Sequence, residues 1–94
     1  MRPEFTPYVV HWTKAAAHDL RGLAAAVSGR VHAALKRFAD SGLGDVREMV
    51  GMGGERRMRV GDYRVRFTVH DADRDGGPKV ILVLRVAHRR EVYR

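Results

Sequence analysis

The 94 residues predict an α+β fold: an N-terminal strand, two short helices packed as a hairpin, then a three-stranded antiparallel meander completing a small sheet. Three observations carry this expectation. The hydrophobic period is helical through Phe38 and switches to two from Arg56 onward. A β-rich alternating run, Tyr8-Val-Val-His-Trp12, precedes the helical part. Gly61-Asp62 then separates two alternating runs by the spacing of a tight hairpin turn.

Taken in order, residues 1–7 read as a short tail, and residues 1–94 as a single domain. Tyr8, Val10 and Trp12 alternate with Val9 and His11 as the first strand. Thr13 can cap the following helix by accepting a free amide of its first turn. Ala16, Leu20, Leu23 and Val27 fall at helical spacing, which predicts a helix from Lys14 to about Ala26. Gly22 inside it costs about 1 kcal/mol relative to Ala. Ser28-Gly29 breaks the pattern, and Val31, Ala34, Leu35 and Phe38 resume it until Asp40-Ser41-Gly42. So short a join predicts an antiparallel αα-hairpin against one face of the sheet. Five glycines make residues 42–54 mostly loop. Arg56 to Val60, Tyr63 to His70 and Lys79 to Ala87 are the remaining strands, with a polar turn from Asp71 to Gly77. Val80 to Leu84 is apolar on both faces and suits a central strand.

The charge balance narrows function. Eighteen Lys and Arg against eleven Asp and Glu leave a net charge of +7. Such a surplus points to a polyanionic partner: nucleic acid, an anionic membrane surface or an acidic protein segment. The absence of Cys excludes disulfide scaffolds, thiol nucleophiles and thiolate-bound zinc. Met1 to Pro7 has no apolar segment of signal-peptide length behind it, and Val80 to Leu84 is far short of a membrane span. A cytoplasmic protein without membrane contact is the expectation. His11, His18, His32 and His70 share no metal-ligand spacing. Asp71, Asp73 and Asp75 begin like a calcium loop but lack its closing Glu. Gly51-Met-Gly53-Gly54-Glu-Arg56 begins like a dinucleotide loop, yet Arg ends it and a strand follows. Neither a metal nor a cofactor is expected.

Register supplies the sharper signal. A turn at Gly61-Asp62 sets Val60 opposite Tyr63, Arg59 opposite Arg64, Met58 opposite Val65 and Arg57 opposite Arg66. Met58, Val60, Tyr63, Val65, Phe67 and Val69 then share the face that the helices cover, and Arg57, Arg59, Arg64 and Arg66 share the other. Like charges directly opposite one another destabilise a sheet. A bound phosphate relieves that repulsion and suits the planar fork of Arg; the alternative is a solvated face whose side chains splay apart. At the end of the last strand, His88, Arg89 and Tyr93 offer a titratable imidazole, a fixed cation and an aromatic ring able to stack on an unpaired base.

Arg57-x-Arg59-Val-Gly-Asp-Tyr-Arg64-Val and Val86-Ala-His88-Arg89-Arg-Glu-Val-Tyr93-Arg together resemble the RelE/ParE toxin superfamily, specifically its RelE branch, over Tyr8 to Arg94. The resemblance implies a microbial-ribonuclease-like fold. It implies the toxin of a type II toxin–antitoxin pair, a metal-free endoribonuclease (mRNA interferase) that cuts messenger RNA, typically in the ribosomal A site. It also implies a cognate antitoxin that covers the active face, with operator DNA bound only through that antitoxin. Carried over by position, Arg57 and Arg59 match two basic residues of the second strand, Arg64 a phosphate-binding Arg, Arg89 the Arg that supports the leaving group, and Tyr93 the Tyr that packs on the base. The resemblance gives Arg66 and Arg85 no role; Arg66 is an expected phosphate contact from the strand register alone. His88 stands where relatives have Lys or His. Some relatives place Lys at the position of Arg57, and Arg is a poor base. Three alternatives follow: His88 accepts the proton, Arg57 and Arg59 act only through charge in a slow enzyme, or the chain no longer cleaves RNA. The rival on the same scaffold is a ParE-like inhibitor of DNA gyrase with no nuclease activity.

Overall fold

The computed structural model describes residues 7–71 and 77–92. The tail up to Thr6, the turn residues Asp73 and Asp75, and Tyr93 and Arg94 lie outside them. The chain runs β1 (Tyr8–Trp12), α1 (Lys14–Arg21), α2 (Ala25–Ser41), β2 (Val46–Glu48), β3 (Arg56–Val60), β4 (Tyr63–His70), β5 (Lys79–His88) and α3 (Arg89–Val92). The strands form one five-stranded sheet in the order β1-β5-β4-β3-β2. β1 lies parallel to β5, and the other neighbours are antiparallel.

Thr13 both caps α1 and joins it to the sheet. Its hydroxyl accepts from Ala16 N at 3.0 Å and donates to the Leu84 carbonyl at 2.9 Å. The helices divide differently from the sequence reading. α1 ends at Arg21 with Gly22 as its C-cap, so Gly22 marks the break rather than interrupting a longer helix. α2 already runs through Ser28-Gly29, because the Ser28 hydroxyl donates to the Ala25 carbonyl and is satisfied within the helix. Val31, Leu35, Phe38 and Ala39 give α2 its buried stripe. Gly42 closes it in the left-handed conformation at φ 76°.

The core lies between this stripe and the covered face of the sheet, where Met58, Val65, Phe67, Ile81, Val83 and Val86 are buried. Residues 42–54 are not all loop: Val46–Glu48 pair with β3, opposite Met58, Arg57 and Arg56, and form the sheet's edge. A strand this short shows no readable period. β5 is one residue longer than the sequence suggests and carries an irregularity: Phe67 faces Val83 while Arg66 faces Arg85, so Leu84 is an extra residue. Up to Val83 the odd positions of β5 point into the core. Beyond Leu84 the even ones do, which turns Arg85 out and Val86 in. Where β1 has ended, α1 lies along β5. Asp19 there accepts from Val86 N at 2.9 Å and from the forked Arg85 guanidinium at 2.8 and 2.9 Å.

Candidate functional site

Position 61 builds the site. Gly61 has φ 58°, which a residue with a side chain rarely adopts, while Asp62 does not have positive φ. This is the pattern of a II′-type reversal. It sets Val60 opposite Tyr63, Arg59 opposite Arg64 and Arg57 opposite Arg66, as the sequence predicts. The edge strand and β5 extend one row further, so that Arg47, Arg57, Arg66 and Arg85 stand abreast across β2 to β5. At about 4.8 Å between strands, the row is about 14 Å wide.

The two rows are neutralised differently. Glu55 is buried, 4% exposed, one alternation ahead of Arg57 on the same side of the chain. Arg66 donates Nε to Glu55 Oε2 at 2.9 Å and Nη2 to Oε1 at 2.8 Å. Arg57 donates Nε to Oε2 at 3.4 Å. The Arg66 hydrogen bonds, with a smaller contribution from Arg57, hold the Glu55 carboxyl below the usual carboxylate range against the opposing effect of burial. Glu55 is therefore an anion at neutral pH. In the second row, the one carboxylate that Arg59 meets among the described residues is the exposed Asp45, at 2.8 Å. Arg64 has no carboxylate among the described residues: its Nη1 donates to the carbonyls of Gly61 and Tyr63, each at 3.0 Å.

A depression of about 380 Å³ opens on this face, lined by Asp45, Arg47, Met49, Arg57, Arg59 and Arg64. Three of the four expected arginines thus come together. Arg66 does not join them, being forked onto Glu55. Arg89 comes close through the turn: its N donates to the Asp62 carbonyl at 2.7 Å, and its Nε lies 4.0 Å from Asp62 Oδ1. Arg89 and Arg64 therefore flank the same reversal.

His88 goes elsewhere. It sits opposite Tyr63 on the helix-covered side, with its ring edge-on to the Tyr63 ring at 5.4 Å between centroids. Both line a separate depression with His18, Asp19 and Leu23. The Leu84 irregularity is the cause, since uninterrupted alternation along β5 puts His88 on the arginine side. Tyr93 lies outside the described residues. Sequence reading missed Arg47 because its segment read as loop, and missed Glu55 although continuing the Arg57/Arg59 alternation two residues upstream reaches it. No cluster of His, Asp or Glu among the described residues could hold a metal ion. No helix among them is long and apolar enough to cross a membrane.

Residues 10–93 match the family model described as "ParE toxin of type II toxin-antitoxin system, parDE". Solved structures share the fold. A chain of the RelB–RelE antitoxin–toxin complex from Methanococcus jannaschii aligns with a TM-score of 0.68 at 22% identity, over 87% of this chain and 93% of that one. A chain of the toxin–antitoxin complex RelBE2 from Mycobacterium tuberculosis gives 0.70 at 26% identity, over 89% and 100%. A chain of the RelE–RelB complex from Pyrococcus horikoshii OT3 gives 0.68 at 27% identity, over 89% and 97%. No curated protein sequence matches the chain.

Proposed function

Because the chain belongs to the ParE toxin family of type II toxin–antitoxin systems, matching its model over residues 10–93, we propose that it is the ribonuclease toxin of such a pair. The observation that carries this reading is the depression lined by Arg47, Arg57, Arg59 and Arg64 on the open side of the sheet. Four guanidiniums around one hollow suit a phosphodiester and its developing charge better than an apolar protein segment. Structural neighbours from RelBE complexes support the RelE branch and a RelB-like antitoxin as partner. Messenger RNA on the ribosome is the substrate in this reading, and operator DNA is reached only through the antitoxin.

The reaction is transesterification. The RNA 2′-oxygen bonds to the adjacent phosphorus, the bond from phosphorus to the 5′-oxygen breaks, and a 2′,3′-cyclic phosphate and a 5′-hydroxyl remain. The nucleophile belongs to the substrate, so the protein supplies alignment and charge. Arg57, Arg59 and Arg64 stabilise the phosphorane, and Arg89, beside the same turn, steadies the leaving oxygen. Tyr93 stacks on the base. Apart from the Arg59-paired Asp45, no carboxylate and no imidazole among the described residues lines the depression. With His88 on the covered side, the alternative favoured is the one in which the arginines act by charge while water takes the 2′-proton and returns one to the leaving oxygen. Such an enzyme forgoes the roughly 100- to 10,000-fold that a positioned acid or base contributes.

The family model's ParE description keeps one second reading in play, inhibition of DNA gyrase without cleavage. Inducing the chain in cells and mapping transcript 5′ ends separates them. Cut transcripts bearing 5′-hydroxyls are expected; an SOS response with intact transcripts overturns the nuclease reading.

A further inference from the structure

Glu55 is the one buried charged residue among those described. An isolated carboxylate in such a place is costly, so its partners define its role. Arg66 occupies both of its oxygens in a forked pair, whereas Arg57 reaches it only through Nε, at 3.4 Å. Neither outer nitrogen of Arg57 has a partner among the described residues, and that side chain, 16% exposed, lines the arginine depression. A carboxylate facing a single arginine takes the whole fork. Here the fork belongs to Arg66, so Arg57 is tethered without being consumed. Only Arg, with donors on several nitrogens, can be held at one and present the others; Lys offers a single ammonium.

We infer that Glu55 is a positioning residue: it grips Arg57 at Nε and turns the outer nitrogens into the depression, to meet the non-bridging oxygens of the scissile phosphodiester. Arg66 is then the counter-cation that keeps Glu55 from neutralising Arg57, rather than a phosphate contact itself. The inference rests on the nuclease reading and adds how its central arginine is aimed.

Glu55→Gln tests it, because the shape stays and the charge goes. Release of Arg57 and Arg66 brings further cations to an RNA backbone. Binding to single-stranded RNA methylated at the scissile 2′-oxygen is expected to tighten at low salt. The plot of log affinity against log salt steepens by about 0.7 for each cation gained. On programmed ribosomes kcat falls about tenfold or more while KM does not rise, because Arg57 is no longer aimed. A structural defect lowers affinity and turnover together. Glu55→Asp is too short to span both partners, so it loses kcat without a steeper salt slope. Unchanged kcat in folded Glu55→Gln overturns the inference, as does weakened binding. If Glu55→Gln does not fold, wild-type kcat in Glu55→Asp overturns it instead. A wild-type chain that cuts no RNA sinks the nuclease reading and this inference with it, whereas wild-type cutting matched by both variants sinks the inference alone.

Discussion

Two pairs of arginines face each other across β3 and β4, and only their surroundings distinguish them. Arg57 and Arg66 share a buried carboxylate, while Arg59 and Arg64 have an exposed Asp45 and two turn carbonyls. Alternation puts both pairs on one side of the sheet, and their mutual repulsion is of the same kind. In the first pair an internal anion takes up that repulsion and fixes the guanidiniums. In the second the partners are weak and solvated, so an incoming phosphate can replace them. A buried counter-ion thus fixes where a like-charged pair points, whereas a pair without one keeps its guanidiniums open to an exchangeable partner.

The largest expected effect lies in the solvated pair. Arg64→Ala should lower cleavage by about 100- to 1,000-fold, the usual loss when a group that stabilises a transition-state oxyanion is removed. Its described partners are backbone carbonyls at the turn, so thermal stability should move by about 0.5 kcal/mol or less. A variant that melts normally and cuts at the wild-type rate excludes Arg64 from the chemistry.

The buried pair should respond in the opposite way. Glu55→Ala leaves Arg66 and Arg57 without their carboxylate, and breaking a buried pair costs about 3–5 kcal/mol. For a chain of this size that lowers Tm by more than about 10 °C, measurable by circular dichroism. Acid probes the same bond. The folded-state carboxyls of Glu55 and Asp19 lie below their ordinary values, chiefly through Arg66 and Arg85 respectively. Their contribution is therefore complete above the ordinary carboxylate pKa of about 4 and is lost as pH falls through the lower folded values. Tm should stay level from pH 7 to about 5 and drop below about 4. Glu55→Ala should flatten that drop, and an unaltered acid profile in this variant contradicts the assignment.

How much of this was legible follows the same division. Local alternation and one Gly-Asp turn sufficed for β3, β4, their register and the arginine side, because each depends on neighbours in sequence. The family resemblance, resting on the Gly-Asp-Tyr-Arg and His-Arg-x-x-x-Tyr segments, agreed with the match over residues 10–93. What failed depends on contacts between distant segments. β2 exists because β3 offers it an edge, and without β2 there is no place for Arg47. The helix break falls at Gly22 rather than at Ser28-Gly29 because α2 packs Val31 and Leu35 whatever its first turn contains. The side on which His88 emerges turns on one extra residue at Leu84, which no period along β5 announces.

That extra residue makes His88 a test of the boundary between the two sides of the sheet. If His88 transferred the proton, His88→Ala would cost the roughly 100- to 10,000-fold of a positioned acid or base. From a ring that sits edge-on to Tyr63 and lines the other depression, the expected loss in cleavage is less than about tenfold. A larger loss in single-turnover rate, with a pH profile that flattens near neutrality, returns the imidazole to the chemistry and requires the end of β5 to rearrange on the substrate.

The smallest effect sharpens the opening contrast most directly. Asp45 and Arg59 are 51% and 65% exposed, so their 2.8 Å contact is an ion pair in water, worth about 1 kcal/mol or less. Asp45 nonetheless occupies the guanidinium that a phosphate needs, and its own charge repels RNA at the rim of the depression. Asp45→Asn removes both obstacles. RNA should bind up to about fivefold more tightly at low salt, the equivalent of the pair's small energy, and the gain should fade as screening grows. Tm should change little. Compared with Glu55→Gln, the pattern is diagnostic: both variants tighten binding, but only the loss of Glu55 should depress turnover, since Asp45 restrains Arg59 without aiming it. If Asp45→Asn weakened RNA binding, the exposed carboxylate would be holding Arg59 in place, and the distinction between the two pairs would collapse into one of degree.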